Sequence, residues 1–75
     1  MSLNLSENES YKLAMYFVKR QYGRKKVRKQ KPHRKIKYNE YWIFYGTLPE
    51  RTKGGTFTIA INTINGAVAY LVHGK

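Results

Sequence analysis

Cysteine and aspartate are both missing from the 75 residues, and the four acids are all glutamates: Glu7, Glu9, Glu40 and Glu50. Without cysteine no disulfide can staple the chain, and His33 and His73 are the only soft ligands left, too few for a structural zinc site. Without aspartate, Asp-based triads and acidic metal cages are excluded. The glutamates form no spaced pair on any expected element, so acid–base work by paired carboxylates has no carrier. No apolar run is long enough to span a bilayer, and no stretch resembles the core of a signal peptide. These absences give the expectation of a cytoplasmic protein with no membrane contact, no cofactor, no metal and no catalytic residue. An enzyme is the weakest class for this chain, and both histidines read as structural or surface groups.

What the sequence has instead is aromatic residues and positive charge. Aromatics are 15% of the chain, which favours folding over disorder despite a net charge of +11. A chain this short makes one small domain, 1–75, with a modest core. The stretch that organises it is Tyr41-Trp42-Ile43-Phe44-Tyr45, followed by Gly46-Thr47-Leu48-Pro49. A short aromatic run closed by turn-forming residues reads as a strand. Strand side chains alternate, so Trp42 and Phe44 share one face and Tyr41, Ile43 and Tyr45 the other. Both faces are sticky. Such a strand lies inside a core, or covers a core on one side and meets a partner on the other.

Around it the chain reads as follows. Residues 1–6 are expected to be a flexible N-terminus. Ser6 and Glu9 have the spacing of a capping box, and Tyr11, Ala14, Met15, Val18 and Tyr22 recur at helical spacing. Lys19 and Arg20 suit a last turn and Gly23 a C-terminal stop, so a helix is expected over about 7–22. Residues 24–31 are expected to be a basic loop, because Pro32 bars a continuous helix through the charge run. A strand over 33–38, a tight turn at Asn39-Glu40 and the aromatic strand come next. A polar loop with Gly54-Gly55 leads to a clearly alternating strand over 56–62, with Phe57, Ile59 and Ile61 on one face. Asn65-Gly66 then marks a turn into a last strand over about 67–73. The fold class is therefore α+β: one N-terminal helix packed on a four-stranded antiparallel meander. Trp42, Phe44, Phe57, Ile59, Ile61 and Val68 are expected under the helix. Tyr41, Ile43, Tyr45, Thr58, Ala60 and Tyr70 are left on the open face, and tyrosine is a common interface residue.

Eleven of the fifteen Lys and Arg residues fall between Lys19 and Lys37, with no acid between Glu9 and Glu40. Three roles compete for this run. It can bind phosphate by counterion release, with the exposed tyrosines stacking unpaired bases. It can steer an acidic protein partner. It can also be a solvated loop that keeps a small protein soluble. Known RNA-binding signatures are absent: Lys53-Gly54-Gly55-Thr56-Phe57 lacks the aromatic pattern of an RRM strand, and no GXXG clamp opens a helix. Lys53-Gly54-Gly55-Thr56 also precedes a strand, where a phosphate loop opens a helix.

A set of motifs brings the chain close to a known family. These are Ala14, Tyr22-Gly23, Gln30-Lys31-Pro32, Tyr41-Trp42, Gly46-Thr47-Leu48-Pro49, Gly54-Gly55-Thr56-Phe57, Ile59, Ile61, Asn65-Gly66, Val68 and His73-Gly74-Lys75. In this combination, over residues from about 11 to the end, the chain resembles the short bacterial immunity proteins of polymorphic toxin systems, which have a nuclear transport factor two (cystatin-like) fold. It departs from the family pattern at His33, where an aromatic is usual, and in the density of its basic run. The resemblance implies a binding module that neutralises a cognate toxin by stoichiometric protein–protein contact. The motif glycines look structural. A tight interface has an aromatic centre and a charged rim. Tyr41, Ile43, Tyr45 and Tyr70 are candidates for the centre, and Arg24, Lys25, Lys26, Arg28 and Lys29 for the rim. A charge of +11 repels the basic surface of a typical nuclease toxin, so an acidic toxin face is expected. A nucleic-acid-binding domain is the alternative, and the tyrosine face could instead pair two copies in a homodimer.

Overall fold

The computed structural model describes residues 3–48 and 55–74. Helix α1 runs Glu7–Tyr22, helix α2 Arg24–Lys29, and strands β1 Arg34–Tyr38, β2 Tyr41–Tyr45, β3 Phe57–Asn62 and β4 Val68–His73. The strands form one antiparallel sheet in the order β1-β2-β3-β4. The expected meander with its N-terminal helix is thus the observed architecture.

The capping box that announces α1 is closed in both directions. Glu9 N donates to Ser6 Oγ at 3.1 Å, and Ser6 N donates to Glu9 Oε1 at 2.9 Å. At the other end Gly23 N donates to Lys19 O at 2.9 Å. Gly23 has φ +92°, a conformation that side chains resist, so the chain breaks direction there rather than extending the helix. The Asn39-Glu40 turn joins Tyr38 to Tyr41, which face each other in the register, with Asn39 at φ +52°. The turn at Asn65-Gly66 is wider: Asn62 N closes it on Ala67 O at 2.9 Å, and Asn62 Oδ1 accepts from Ile64 N and Asn65 N. Pairing of Ala60 with Tyr70 and of Ile61 with Val68 leaves Ala69 as an extra residue, a bulge near the start of β4.

Two expectations are corrected. Residues 24–31 are not a loop throughout, since Arg24–Lys29 is helical. Lys and Arg are good helix formers, and Pro32 stops a helix without preventing one before it. The buried Val27 anchors this short helix in the core. Residues 1–6 are not free as a block: Leu3 N donates to Ile64 O at 2.7 Å and Leu5 N to Thr63 O at 2.8 Å, so residues 3–5 lie along the β3–β4 turn. The polar loop expected over 50–55 lies outside the described residues, apart from Gly55.

The core is a single cluster of Ala14, Met15, Val18, Val27, Phe44, Phe57, Ile59 and Ile61. Trp42 and Val68 pack against it half-buried, so the whole set expected under the helix lies there. Tyr11 meets Phe44 edge-on at 5.4 Å, and Trp42 stacks on Phe44 at 6.1 Å. Since Val27 joins the same cluster, both helices lie on one side of the sheet, and among the described residues no layer covers the other side.

Candidate functional site

The uncovered sheet face follows from register and alternation. Ile36, Ile43, Ala60 and Tyr70 lie side by side across the four strands. Arg34, Tyr45, Thr58 and Val72 form the next row. Tyr38 and Tyr41 face each other beyond the first row. Exposure is high for large apolar side chains: Ile36 51%, Tyr38 62%, Tyr70 43% and Val72 52%. Tyr38, Tyr41 and Tyr70 stand with Ile43 around a shallow depression whose floor is Ala60 and Ala69. Ala60 is itself only 1% exposed, so the ring of larger side chains closes over it. Tyr41, Ile43 and Tyr70 therefore come together as the sequence suggests. Tyr45 lies one row away, beside Arg34 and Thr58. Ile36 and Tyr38 belong to this face too, and sequence reasoning missed them. The sequence carries a signal for them: two apolar residues at alternate positions in an otherwise basic strand.

The cations do not surround that depression. Arg24, Lys25, Lys26, Arg28 and Lys29 are exposed on α2, which packs on α1 on the helical side. The expected anatomy of an aromatic centre ringed by this basic run is thus corrected: the sheet separates the two. On the edge strand β1, Lys35 and Lys37 have local partners. Lys35 pairs with Glu7, and Lys37 donates to Asn39 O and sits 5.8 Å over the Trp42 ring. An edge strand carrying Arg34, Lys35 and Lys37 also resists pairing with a second sheet.

The family motifs converge on a different place. Gln30 is 3% exposed and links three segments at one corner of the sheet. Its Oε1 accepts from Phe57 N at 2.9 Å, and its Nε2 donates to Gly55 O at 3.3 Å and faces His73 Nε2 at 3.4 Å. Its backbone oxygen accepts from Thr47 N at 2.8 Å, and Thr47 Oγ1 donates to Pro32 O at 2.9 Å. Gly46 is glycine because a Cβ there would lie 2.6 Å from Gln30 Cβ and 2.9 Å from Phe57 Cε2. His73 packs on Tyr22 with ring centroids 5.1 Å apart.

His33 is likewise a structural bridge. Val27 O can only accept, so His33 Nε2 carries the proton that bonds it at 2.7 Å. In the neutral ring Nδ1 is then the acceptor for the Tyr11 hydroxyl, 2.5 Å away. Burial pushes the Tyr11 phenol above its ordinary pKa, so it stays protonated as that donor. The ring thereby ties α1 to the end of α2 and packs edge-on to Phe57 at 5.3 Å. Among the described residues no three His, Cys, Asp or Glu side chains gather as a metal site would require, and no helix is long and apolar enough to cross a membrane.

With a two-helix, four-strand architecture and motifs that knit its corner, the chain can be placed. The model of the family described as NTF2 fold immunity protein matches residues 10–75, and the chain belongs to that family. It is also similar to the uncharacterized protein YbbC of Escherichia coli strain K12, with 32% identity over 71 residues. The aligned region is 93% of this chain and 58% of YbbC, so the chain spans less than two thirds of that relative's length. No solved structure matches it.

Proposed function

We propose that this immunity-family chain neutralises a cognate toxin domain by forming a stoichiometric complex, without chemistry of its own, and that the uncovered sheet face is the contact. The observation that carries the reading is that face itself. Exposed Tyr38 and Tyr70 stand with half-buried Tyr41 and Ile43 around an alanine floor, exposed Ile36 and Val72 extend the same face, and both described helices lie on the other side of the sheet. Contiguous apolar surface of this kind is unusual unless a partner covers it. Rigid tyrosines held on strands lose little conformational freedom on binding, as a hot-spot centre requires. The net charge of +11 adds a preference for a toxin with an acidic surface, through faster encounter.

The alternative, a single-strand nucleic-acid binder, needs cations and stacking rings on one surface. Here the tyrosine face and the α2 cations lie on opposite sides of the sheet, which weighs against it. A labelled single strand retained at sub-micromolar strength in physiological salt would favour it nonetheless.

The direct test is co-expression with candidate polymorphic-toxin domains. The parent should protect cells and co-purify with the toxin one to one. Tyr38→Ala with Tyr70→Ala, both at exposed positions, should leave the fold intact and weaken the complex by about 30-fold or more per hot-spot side chain. Full protection by that double variant, with unchanged affinity, would remove the sheet face as the contact. Lys25→Glu with Lys26→Glu should slow association more than it alters dissociation. Equal on-rates for the pair and the parent would remove the steering role.

A further inference from the structure

Helices α1 and α2 enclose a groove on the helical side of the sheet. Lys12, Met15, Tyr16 and Lys19 line it from α1, and Arg24, Val27 and Arg28 from α2, with Lys31 just beyond. Lys12, Met15, Tyr16 and Lys19 stand at i, i+3, i+4 and i+7, the spacing of one helical face, and Arg24, Val27 and Arg28 repeat its first three places on α2. The pattern on each is the same: cations at the rim and a buried apolar residue, Met15 or Val27, beneath. The groove has a volume of about 610 Å³, in the range of a site that takes a ligand or a short run of peptide. Five cations line it and no acid does. Like charges gathered along one groove repel one another, so the arrangement costs stability that an anionic occupant would return.

We propose that this groove takes an extended acidic segment of a protein partner, with carboxylates on the cationic rim and apolar side chains over Met15 and Val27. The proposal rests on the reading above that the partner is a protein, and adds a second contact separate from the tyrosine face. The groove favours a peptide over a single nucleic-acid strand because its two rings are engaged. Arg20 bonds the Tyr16 hydroxyl at 3.0 Å and lies 5.7 Å over its ring, and the Tyr11 hydroxyl is held by His33. Tyr16 is 51% exposed with Arg20 over one face, and the Tyr11 ring packs on Phe44, so bases entering the groove would find at most one half-exposed ring and no row of stacking platforms. Carboxylates need only the fixed cations, and Arg24 and Arg28 offer planar forks suited to them. Within the basic run this divides the labour: Arg24 and Arg28 touch the occupant, while Lys25, Lys26 and Lys29 contribute long-range field.

The test uses the full chain and two labelled probes of equal charge: a short peptide alternating glutamate and leucine, and a single-stranded oligonucleotide. Fluorescence anisotropy near physiological ionic strength reads both. The peptide should bind more tightly. Arg24→Glu with Arg28→Glu should weaken it by about tenfold or more, from the loss of two charge-assisted contacts. Arg34→Glu with Lys37→Glu makes the same change in net charge on the sheet edge and should cost less than about threefold, the diffuse share. Arg24→Gln with Arg28→Gln, which adds no acid, should weaken binding by an intermediate factor and guards against misfolding of the reversal pair. Equal losses for groove and edge pairs would overturn the proposal, as would tighter binding of the oligonucleotide. The outcome is separable from the toxin reading. Groove variants that bind peptide and toxin like the parent sink the groove alone, whereas a parent that fails to bind its toxin sinks the function.

Discussion

Replacing Gln30 by methionine should cost more stability than any surface change in this chain, and the reason is local. The side chain is 3% exposed, and its Oε1 is the partner of Phe57 N, a backbone donor at the start of a buried strand. Methionine has nearly the same length and no acceptor for that donor. Leaving a buried N–H without a partner costs about 1–3 kcal/mol, more than the roughly 1 kcal/mol net value of an ordinary hydrogen bond. The bond from Nε2 to Gly55 O is longer, at 3.3 Å, and adds little. A total of about 2–3 kcal/mol lowers the midpoint of a domain this size by about 10–20 °C. Thermal unfolding followed by circular dichroism reads it directly.

Gln30→Glu separates hydrogen bonding from shape. The ionised carboxylate still accepts from Phe57 N, but it sets a negative oxygen where Nε2 now donates to Gly55 O. Burial and that opposed carbonyl favour the protonated form, while His73 Nε2, 3.4 Å from the same atom, favours the ionised one when it carries a proton; where burial dominates, the folded-state pKa of the new carboxyl lies above its unfolded value. The folded state then holds more protons, and stability must fall as pH rises through the unfolded and then the folded pKa. The midpoint of this variant should drop between mildly acidic and neutral pH relative to Gln30→Met, whose side chain has no proton to lose. If Gln30→Met melts within about 3 °C of the parent, or if the two variants share one pH profile, the corner does not depend on this amide.

Other outcomes follow from neighbouring geometry. Gly46→Ala drives a methyl into Gln30 and the Phe57 ring, and should destabilise by about 1–3 kcal/mol in urea unfolding; an unchanged midpoint would mean the strand end moves freely. Ser10 is fully buried in α1, and its Oγ has no partner among the described residues. Ser10→Ala should therefore raise stability by about 1 kcal/mol, through removal of an unpaired hydroxyl and better helix propensity, and a loss of that size would reveal a partner. Glu9 has its pKa lowered, first by the Ser6 backbone N–H and then by the Ser6 side chain. Its depressed value means the carboxylate stabilises the fold above the unfolded pKa, and the contribution is lost as pH falls from about 4.5 through the folded pKa. An acid titration of helical signal should show that loss in the parent and not in Glu9→Gln, which keeps a capping side chain.

Local rules were readable in this sequence wherever one segment carried its own signal. Helix α1 has its capping box, apolar stripe and terminal glycine within Ser6–Gly23, and its bounds follow from them. The core face of β2 and β3 follows from strict alternation. Helix α2 was not readable because its one apolar residue, Val27, gives no period, and its cations suit a solvated loop as well as a helix. What holds it is tertiary: the end of α2 is tied by His33 to Val27 O and by Gln30 to β3. The hub role of Gln30 was invisible for a related reason. A glutamine beside six cations reads as surface, and only the meeting of Gly46, Gly55 and Phe57 around it makes it core.

That failure changes the functional picture more than its size suggests. As a loop, residues 24–31 could reach around the sheet edge and lend their charge to the tyrosines, giving one patch with a centre and a rim. As a helix anchored by Val27, they cannot. Charge and aromatic surface are then two separate resources on opposite sides of a sheet, about one side chain layer plus one strand layer apart. A partner that uses both must reach around a sheet edge, such as β1, where Lys35 and Lys37 alternate with Ile36 and Tyr38 along one exposed strand. A compact partner must choose. The proposed toxin complex therefore has a mutational signature: if Tyr38→Ala with Tyr70→Ala and Arg24→Glu with Arg28→Glu each weaken it, and their effects add, the toxin embraces an edge and touches both faces independently. If only the tyrosine pair matters at equilibrium, the basic side acts on the approach alone and its variants change the on-rate.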